Sequence, residues 1–330
     1  MYLFLSLFSF FHCIGSALKN TLYRIKICIP KKAPLPVISV GNISLGGSEK
    51  TPLVMNLLSF LLKQGYRPAL VSRGYRGKWE RCGGILSDGE KTYGTWRESG
   101  DEPFMVAQNI PRAGIFIGKN RLLSCQKAKD SKFELAVLDD GFQHYRLHRD
   151  LDIVLHTPEK KAGLREFPYS LRRAHIILVK KCPEIPLKKQ LINLKSHPLI
   201  FKYTVVNKGF LSIAAKKIFP PSAFEGKKAL AFCGIARPER FFTLLQEAGI
   251  EVVLSLAFPD HHSYPLSSLR KISDYFNRTK ADCAITTEKD AVKINPETPL
   301  FLKIPLYSMK IELEIEEEFY RRIRTLLEAL

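Results

Sequence analysis

Between Leu35 and Gly65 the chain reads as a short β-branched run, LPVISV, then a glycine-rich stretch, GNISLGGSEKTP, then an apolar helical segment from Thr51 to Gln64. A strand that enters a helix through a glycine-rich turn closing on Lys-Thr is the layout of a phosphate-binding loop. Such a loop needs a buried strand to deliver it and a helix N-terminus whose free N–H groups face an anion, which restricts the chain to α/β architectures. The chemistry also asks for an ammonium on the β/γ phosphate oxygens and a hydroxyl on Mg²⁺, and Lys50 and Thr51 supply those groups. The plain alternative is a glycine-rich strand-to-helix turn. Pro52 suits both, since proline is tolerated in a first helical turn.

The pattern G-x-x-x-x-G-K-[ST] requires glycine at 44 and 49, where this chain has Ser44 and Glu49. What remains resembles the G-G-x-G-K-T variant loop, so Gly46, Gly47, Ser48, Glu49, Lys50 and Thr51 form the expected nucleotide-binding set. A carboxylate at 49 would stand near the phosphates, and its repulsion is tolerable only if it turns to water or pairs with a base such as Arg76 or Lys119.

A nucleotide site of this type also needs an acidic residue at the end of a buried strand. Residues 134 to 140, ELAVLDD, provide it: a short apolar run ending in Asp139-Asp140-Gly141. Burying two adjacent carboxylates without a cation would cost several kcal/mol. A bound Mg²⁺ offsets that cost, whereas a simple Asp-Gly turn explains the glycine but not the acidic pair.

Residues 1 to 18, MYLFLSLFSFFHCIGSAL, carry no Lys, Arg, Asp or Glu, and the next charges, Lys19, Arg24, Lys26, Lys31 and Lys32, are all basic. This order is the reverse of a secretory signal and places the remainder of the chain in the cytoplasm behind a membrane-inserted or interfacial helix. The formal net charge is +19, with basic pairs scattered along 330 residues and no zinc-finger or RNA-binding signature, so nucleic acid is not an expected partner. Seven dispersed cysteines, none in a C-x-x-C pair, read as reduced core thiols.

Further stretches carry a specific resemblance: SRGYRG at 72–77, GDEP at 100–103, LDDGFQHYRL at 138–147, LREF at 164–167, FPDHHSY at 258–264 and TEKDAVK at 287–293. Together with SVGNISLGGSEKTP they resemble the tetraacyldisaccharide 4'-kinases, membrane-associated kinases of the lipid A precursor. The resemblance implies ATP and Mg²⁺ as cofactors, a lipid disaccharide 1-phosphate as substrate and a place at the inner membrane surface, with no obligate protein partner. It also implies Asp101 as catalytic base supported by His261, Lys50 as a further catalytic residue, and Thr51, Glu102, Asp139 and Asp140 as the metal set. Read from the residues alone, Asp101 in GDEP is more readily a helix cap, a preference that the resemblance reverses. Tyr75, Arg76 and Arg121 suit a sugar-phosphate ligand, aromatic face for the ring and guanidinium for phosphate. Gln143 and His144 belong to the motif and are grouped with the substrate residues.

Strand-like runs at 35–40, 68–72, 113–117, 134–139, 151–156 and 175–179 alternate with helical stretches, predicting a mostly parallel sheet covered on both faces. The expected fold is α/β: residues 1–28 as membrane helix and basic flank, 29–199 as P-loop kinase domain, 200–212 as an extended linker turning at Asn207-Lys208-Gly209, and 213–330 as a smaller α/β domain. His261 and Asp101 then come from different domains, and catalysis requires closure. A membrane-associated P-loop ATPase switch is the alternative; a binding module with a decayed loop is a third reading, opposed by the joint presence of Lys50, Asp101, Asp139 and Asp140.

Overall fold

A computed structural model describes residues 2–44, 49–157, 163–181, 198–295, 298 and 304–329, with side chains from residue 13 onward. The chain divides into two compact units, Met1–Thr204 together with Leu313–Leu330, and Val205–Glu312. The C-terminal helix therefore belongs with the first unit, and the smaller unit ends well short of residue 330.

In the first unit, helix α1 (Tyr2–Arg24) leads to strand β1 (Val37–Asn42) and helix α2 (Lys50–Lys63). Next come β2 (Pro68–Ser72), α3 (Trp79–Cys82), β3 (Gly84–Asp88), α4 (Trp96–Ser99), α5 (Asp101–Asn109), β4 (Gly114–Ile117) and α6 (Arg121–Asp130). Strands β5 (Leu135–Asp139), β6 (Leu151–His156), β7 (Ile176–Lys180) and β8 (Leu199–Ser212) complete the run. The strand order is β3-β4-β2-β5-β1-β6-β7-β8, parallel throughout except for β3, which runs antiparallel to β4. All six residues of β1 are buried, as expected of a central strand covered on both faces. Strands following β1 build out first toward β2 and β4, and later ones toward β6 and β7, so β1 lies at the switch in winding direction. The crevice beyond the carboxyl ends of strands at such a switch is where ligands bind in open α/β sheets.

Helix α2 buries Leu53, Val54, Leu57, Leu58 and Leu61, a stripe at helical spacing that packs its N-terminus behind β1. Full burial of each leucine stabilises the fold by ~1.5–3 kcal/mol. Close packing also fixes the turn after β5: a Cβ on Gly41 would meet Phe142 Cβ at 2.5 Å, so β1 and the DGF turn approach within glycine distance.

The second unit contains the end of β8, with β9 (Ile218–Phe219), β10 (Lys228–Cys233), α7 (Pro238–Glu247), β11 (Glu251–Ala257), α8 (Leu266–Arg278), β12 (Cys283–Thr287), α9 (Glu288–Ala291) and most of β13 (Leu306–Ile315). Its order is β11-β10-β12-β13-β8, with β10, β11, β12 and β13 joined by parallel pairs. The chain returns to the first unit through the end of β13 and helix α10 (Glu317–Glu328), whose Phe319 is fully buried against Phe201. One sequence expectation needs correction here. Residues 207–209 make no hairpin turn, because β8 runs unbroken through them with only Gly209 at positive φ (122°). No helix among the described residues is long and apolar enough to cross a membrane, so α1 is a helix but not a demonstrated span.

Candidate active site

Strand β1 ends in Asn42, a fully buried amide that organises the loop exit. Its Nδ2 donates to the Ser44 carbonyl at 2.8 Å, and its Oδ1 accepts from Lys50 Nζ at 3.2 Å. The Lys50 ammonium also lies 3.4 Å from Asp140 Oδ1, so the lysine is held against the strand ends. Gly46, Gly47 and Ser48 lie outside the described residues.

Asp140 follows β5 in a left-handed turn (φ 53°) and accepts two hydrogen bonds from Arg165 Nη1, at 2.7 and 2.5 Å. Burial would raise its pKa, but Lys50 and Arg165 outweigh that and hold the carboxyl well below the usual carboxylate range. Its neighbour Asp139 behaves oppositely. Burial first, then the charges of Glu102 and Asp140, push Asp139 up from 3.8 to about 6. Ser72 donates to Asp139 Oδ2 at 3.3 Å, while Asp139 Oδ1 is buried with no hydrogen-bond partner.

Helix α5 brings the acidic pair of GDEP to the same strand ends. Asp101 is buried, its Oδ1 accepting the Glu102 backbone N–H at 2.9 Å, and Glu102 Oε2 accepts from the Thr51 hydroxyl at 3.2 Å. Both carboxylates lie in the first turn of the helix, the end whose dipole attracts negative charge. The first unit thus brings together Lys50, Thr51, Glu102, Asp139 and Asp140, with Asp101 on the turn of helix that carries Glu102.

The sequence profile described as Tetraacyldisaccharide-1-P 4'-kinase matches residues 1–328. The chain belongs to the tetraacyldisaccharide 4'-kinase family. It is 36% identical over 318 residues to a protein named Tetraacyldisaccharide 4'-kinase from Desulfotalea psychrophila, covering 92% of this chain and 90% of that one. Over 339 residues it is 33% identical to the protein of that name from Syntrophus aciditrophicus, covering 96% and 91%. Among solved structures, "apo" form LpxK from Aquifex aeolicus in complex with ATP aligns with a TM-score of 0.77 at 28% identity, covering 98% of this chain and 99% of that one.

Within this 4'-kinase the remaining expected residues fall into distinct places. Tyr75 is exposed with the Arg76 guanidinium 5.5 Å from its ring centroid, an aromatic-cation pair at the surface. Arg121 is buried instead of displayed: Nη1 donates to the Gly118 carbonyl at 2.5 Å, and burial lowers its pKa to about 10 although Asp139 and Asp140 pull it upward. Gln143 donates through Nε2 to the Asn42 carbonyl at 2.9 Å and so fastens the DGFQH turn to the end of β1. His144 has its pKa lowered to about 4, by burial and then by Arg121, Lys19, Arg149 and Arg146, which keeps the imidazole neutral at physiological pH. In the second unit, His261 has a left-handed backbone (φ 61°), and its Nε2 lies 3.3 Å from Lys289 Nζ and 3.9 Å from Asp260 Oδ2.

Glu49, expected to turn to water or to pair with a base, meets that base in Lys180. Its Oε1 accepts from Lys180 Nζ at 3.1 Å and its Oε2 from the Tyr203 hydroxyl at 3.2 Å. Sequence reasoning missed Asn42, Arg165, Lys180 and Tyr203. The first two lie inside the quoted stretches GNIS and LREF, so a motif signal existed; a lysine at a strand end and a tyrosine in a linker carry none.

Proposed function

We propose that the protein transfers the γ-phosphoryl group of ATP to the 4'-hydroxyl of an acylated glucosamine disaccharide 1-phosphate, giving the bis-phosphorylated lipid A precursor. The observation that carries this reading is the strand-end cluster of Lys50, Asn42, Asp140 and Arg165 beside Thr51, Glu102 and Asp139, in a chain of the 4'-kinase family. Lys50 leaves Asp140 for the β/γ phosphate oxygens when ATP enters, a charge-assisted contact that strengthens as charge develops. Asp101 accepts the proton of the attacking hydroxyl, and His261 assists proton transfer. Tyr75 and Arg76 receive the sugar and its 1-phosphate.

Mg²⁺ fits the carboxylate end of the cluster. The unpartnered Asp139 Oδ1 and the mutual repulsion of Asp139, Glu102 and Asp140 leave negative charge that a divalent cation would compensate. Thr51, Glu102 and Asp139 would hold it, with Asp140 alongside, and the bound ion would neutralise phosphate charge. The N-terminal segment anchors the enzyme at the cytoplasmic face of the inner membrane. Supporting this, Ile14, Leu18, Ile25, Ile27 and Ile29 are exposed among Lys19, Arg24 and Lys26, the pattern of an interfacial helix and flank.

Incubation with γ-labelled ATP, Mg²⁺ and lipid disaccharide 1-phosphate tests the reading. Label in the lipid supports it; label only in free phosphate would replace it with the ATPase-switch alternative.

A further inference from the structure

Glu49 caps the start of α2 with φ 52° and ψ 26°, in the left-handed region. Glycine, which the G-G-x-G-K-T pattern places there, enters that region freely, whereas a Cβ meets the backbone there and resists it. The carboxylate is also the wrong charge for a residue that directly precedes the phosphate-seeking lysine. Both problems meet one local answer. Lys180 and Tyr203 are register partners on the adjacent parallel strands β7 and β8, so their side chains leave the same face of the sheet. One donates to each oxygen of the Glu49 carboxylate. The Glu49 side chain is only 10% exposed and Tyr203 is 1% exposed, so the three groups form a shielded pair and clamp rather than a loose surface contact.

We propose that Lys180 and Tyr203 are positioning residues for nucleotide binding: through Glu49 they fix the loop exit in the turn that glycine would otherwise supply, and they hold its carboxylate off the phosphates. The inference rests on the ATP-binding reading of the site but not on the identity of the acceptor. Removing Lys180 takes a positive charge away from the Glu49 carboxylate beside Lys50, so that carboxylate opposes a polyphosphate through space and competes for the ammonium more strongly. Removing Glu49 as well takes away the reason for the clamp.

The test is a cycle in the full-length protein, with the Kd for ATP in the presence of Mg²⁺ measured by calorimetry at low and high salt. Lys180→Ala is expected to raise Kd about tenfold at low salt, with the difference shrinking as salt rises. Lys180→Arg keeps the charge and should restore most of the affinity, while Tyr203→Phe should raise Kd about twofold to threefold. In a Glu49→Gly background, Lys180→Ala should no longer change Kd. An equal loss of affinity from Lys180→Ala in both backgrounds would overturn the proposal, showing that Lys180 acts on the nucleotide or the fold directly; no loss in either background would overturn it as well. Tight ATP binding with no phosphoryl transfer to lipid would defeat the kinase reading while leaving this cycle to decide the inference.

Discussion

Lys50 is the residue on which the proposed nucleotide chemistry turns, its ammonium lying against Asn42 and Asp140. Lys50→Ala should lower kcat/KM by about 10²-fold or more, in the range of a lost charge-stabilising contact, and steady-state kinetics check it. Asp101→Ala should collapse kcat while leaving ATP affinity within about twofold, since the proposed base acts on the acceptor; a fall in ATP affinity of about tenfold or more would reassign Asp101 to the nucleotide. His144 adds a pH effect. Its folded pKa of about 4 lies below the ordinary 6.5, so between those values the unfolded chain binds the extra proton and stability falls as pH falls. His144→Gln should reduce the loss of stability between pH 6.5 and 4 by about 1–2 kcal/mol relative to the parent, discounted for partial exposure, as read by denaturant melts. The places of Lys50 and Thr51 at the start of α2 and of Asp139 and Asp140 at the end of β5 were legible in the sequence, because the motif spacing sets both. The inward turn of Arg121 and the Glu49 clamp were not, since both depend on side-chain paths set by distant strands.

At the scale of elements, the first six expected strands correspond to β1, β2, β4, β5, β6 and β7, with ends shifted by up to two residues. Their apolar runs are continuous because both faces are covered, and that signal survives without tertiary information. Edge strands carry a weaker signature: β3 contains Gly84, pairs antiparallel with β4 at the end of the strand order, and escaped the reading. Helix α1 is tied to the site's motifs from the other side, as Tyr23 stacks on Tyr145 of the DGFQHY stretch at 5.7 Å and Cys13 donates to the Leu164 carbonyl at 3.5 Å. Four of the described cysteines, 13, 125, 233 and 283, are buried as expected, while Cys82 is exposed. Deletion of residues 1–18 should move the protein from the membrane fraction toward the soluble one, with salt-sensitive residual binding of about 1 kcal/mol per suitably placed basic residue. Unchanged fractionation in high salt would place the membrane contact elsewhere.

At the scale of the whole molecule, the boundary between units falls within β8 and again within β13, so the chain leaves and re-enters the first unit along strands instead of loops. Composition and turn residues mark linkers, but a crossing inside a continuous strand leaves neither glycine runs nor charge blocks, which is why residues 313–330 were assigned with the smaller domain from sequence. Family membership and the strand-end cluster converge on phosphoryl transfer to a lipid-borne sugar hydroxyl. The most direct measurement is the structure of the product: ³¹P NMR of the lipid after incubation of disaccharide 1-phosphate with the protein, ATP and Mg²⁺. The account predicts a new phosphomonoester on the 4'-position of the distal sugar with the 1-phosphate intact. ATP consumed without a new lipid phosphate, or a diphosphate formed at position 1, would contradict it.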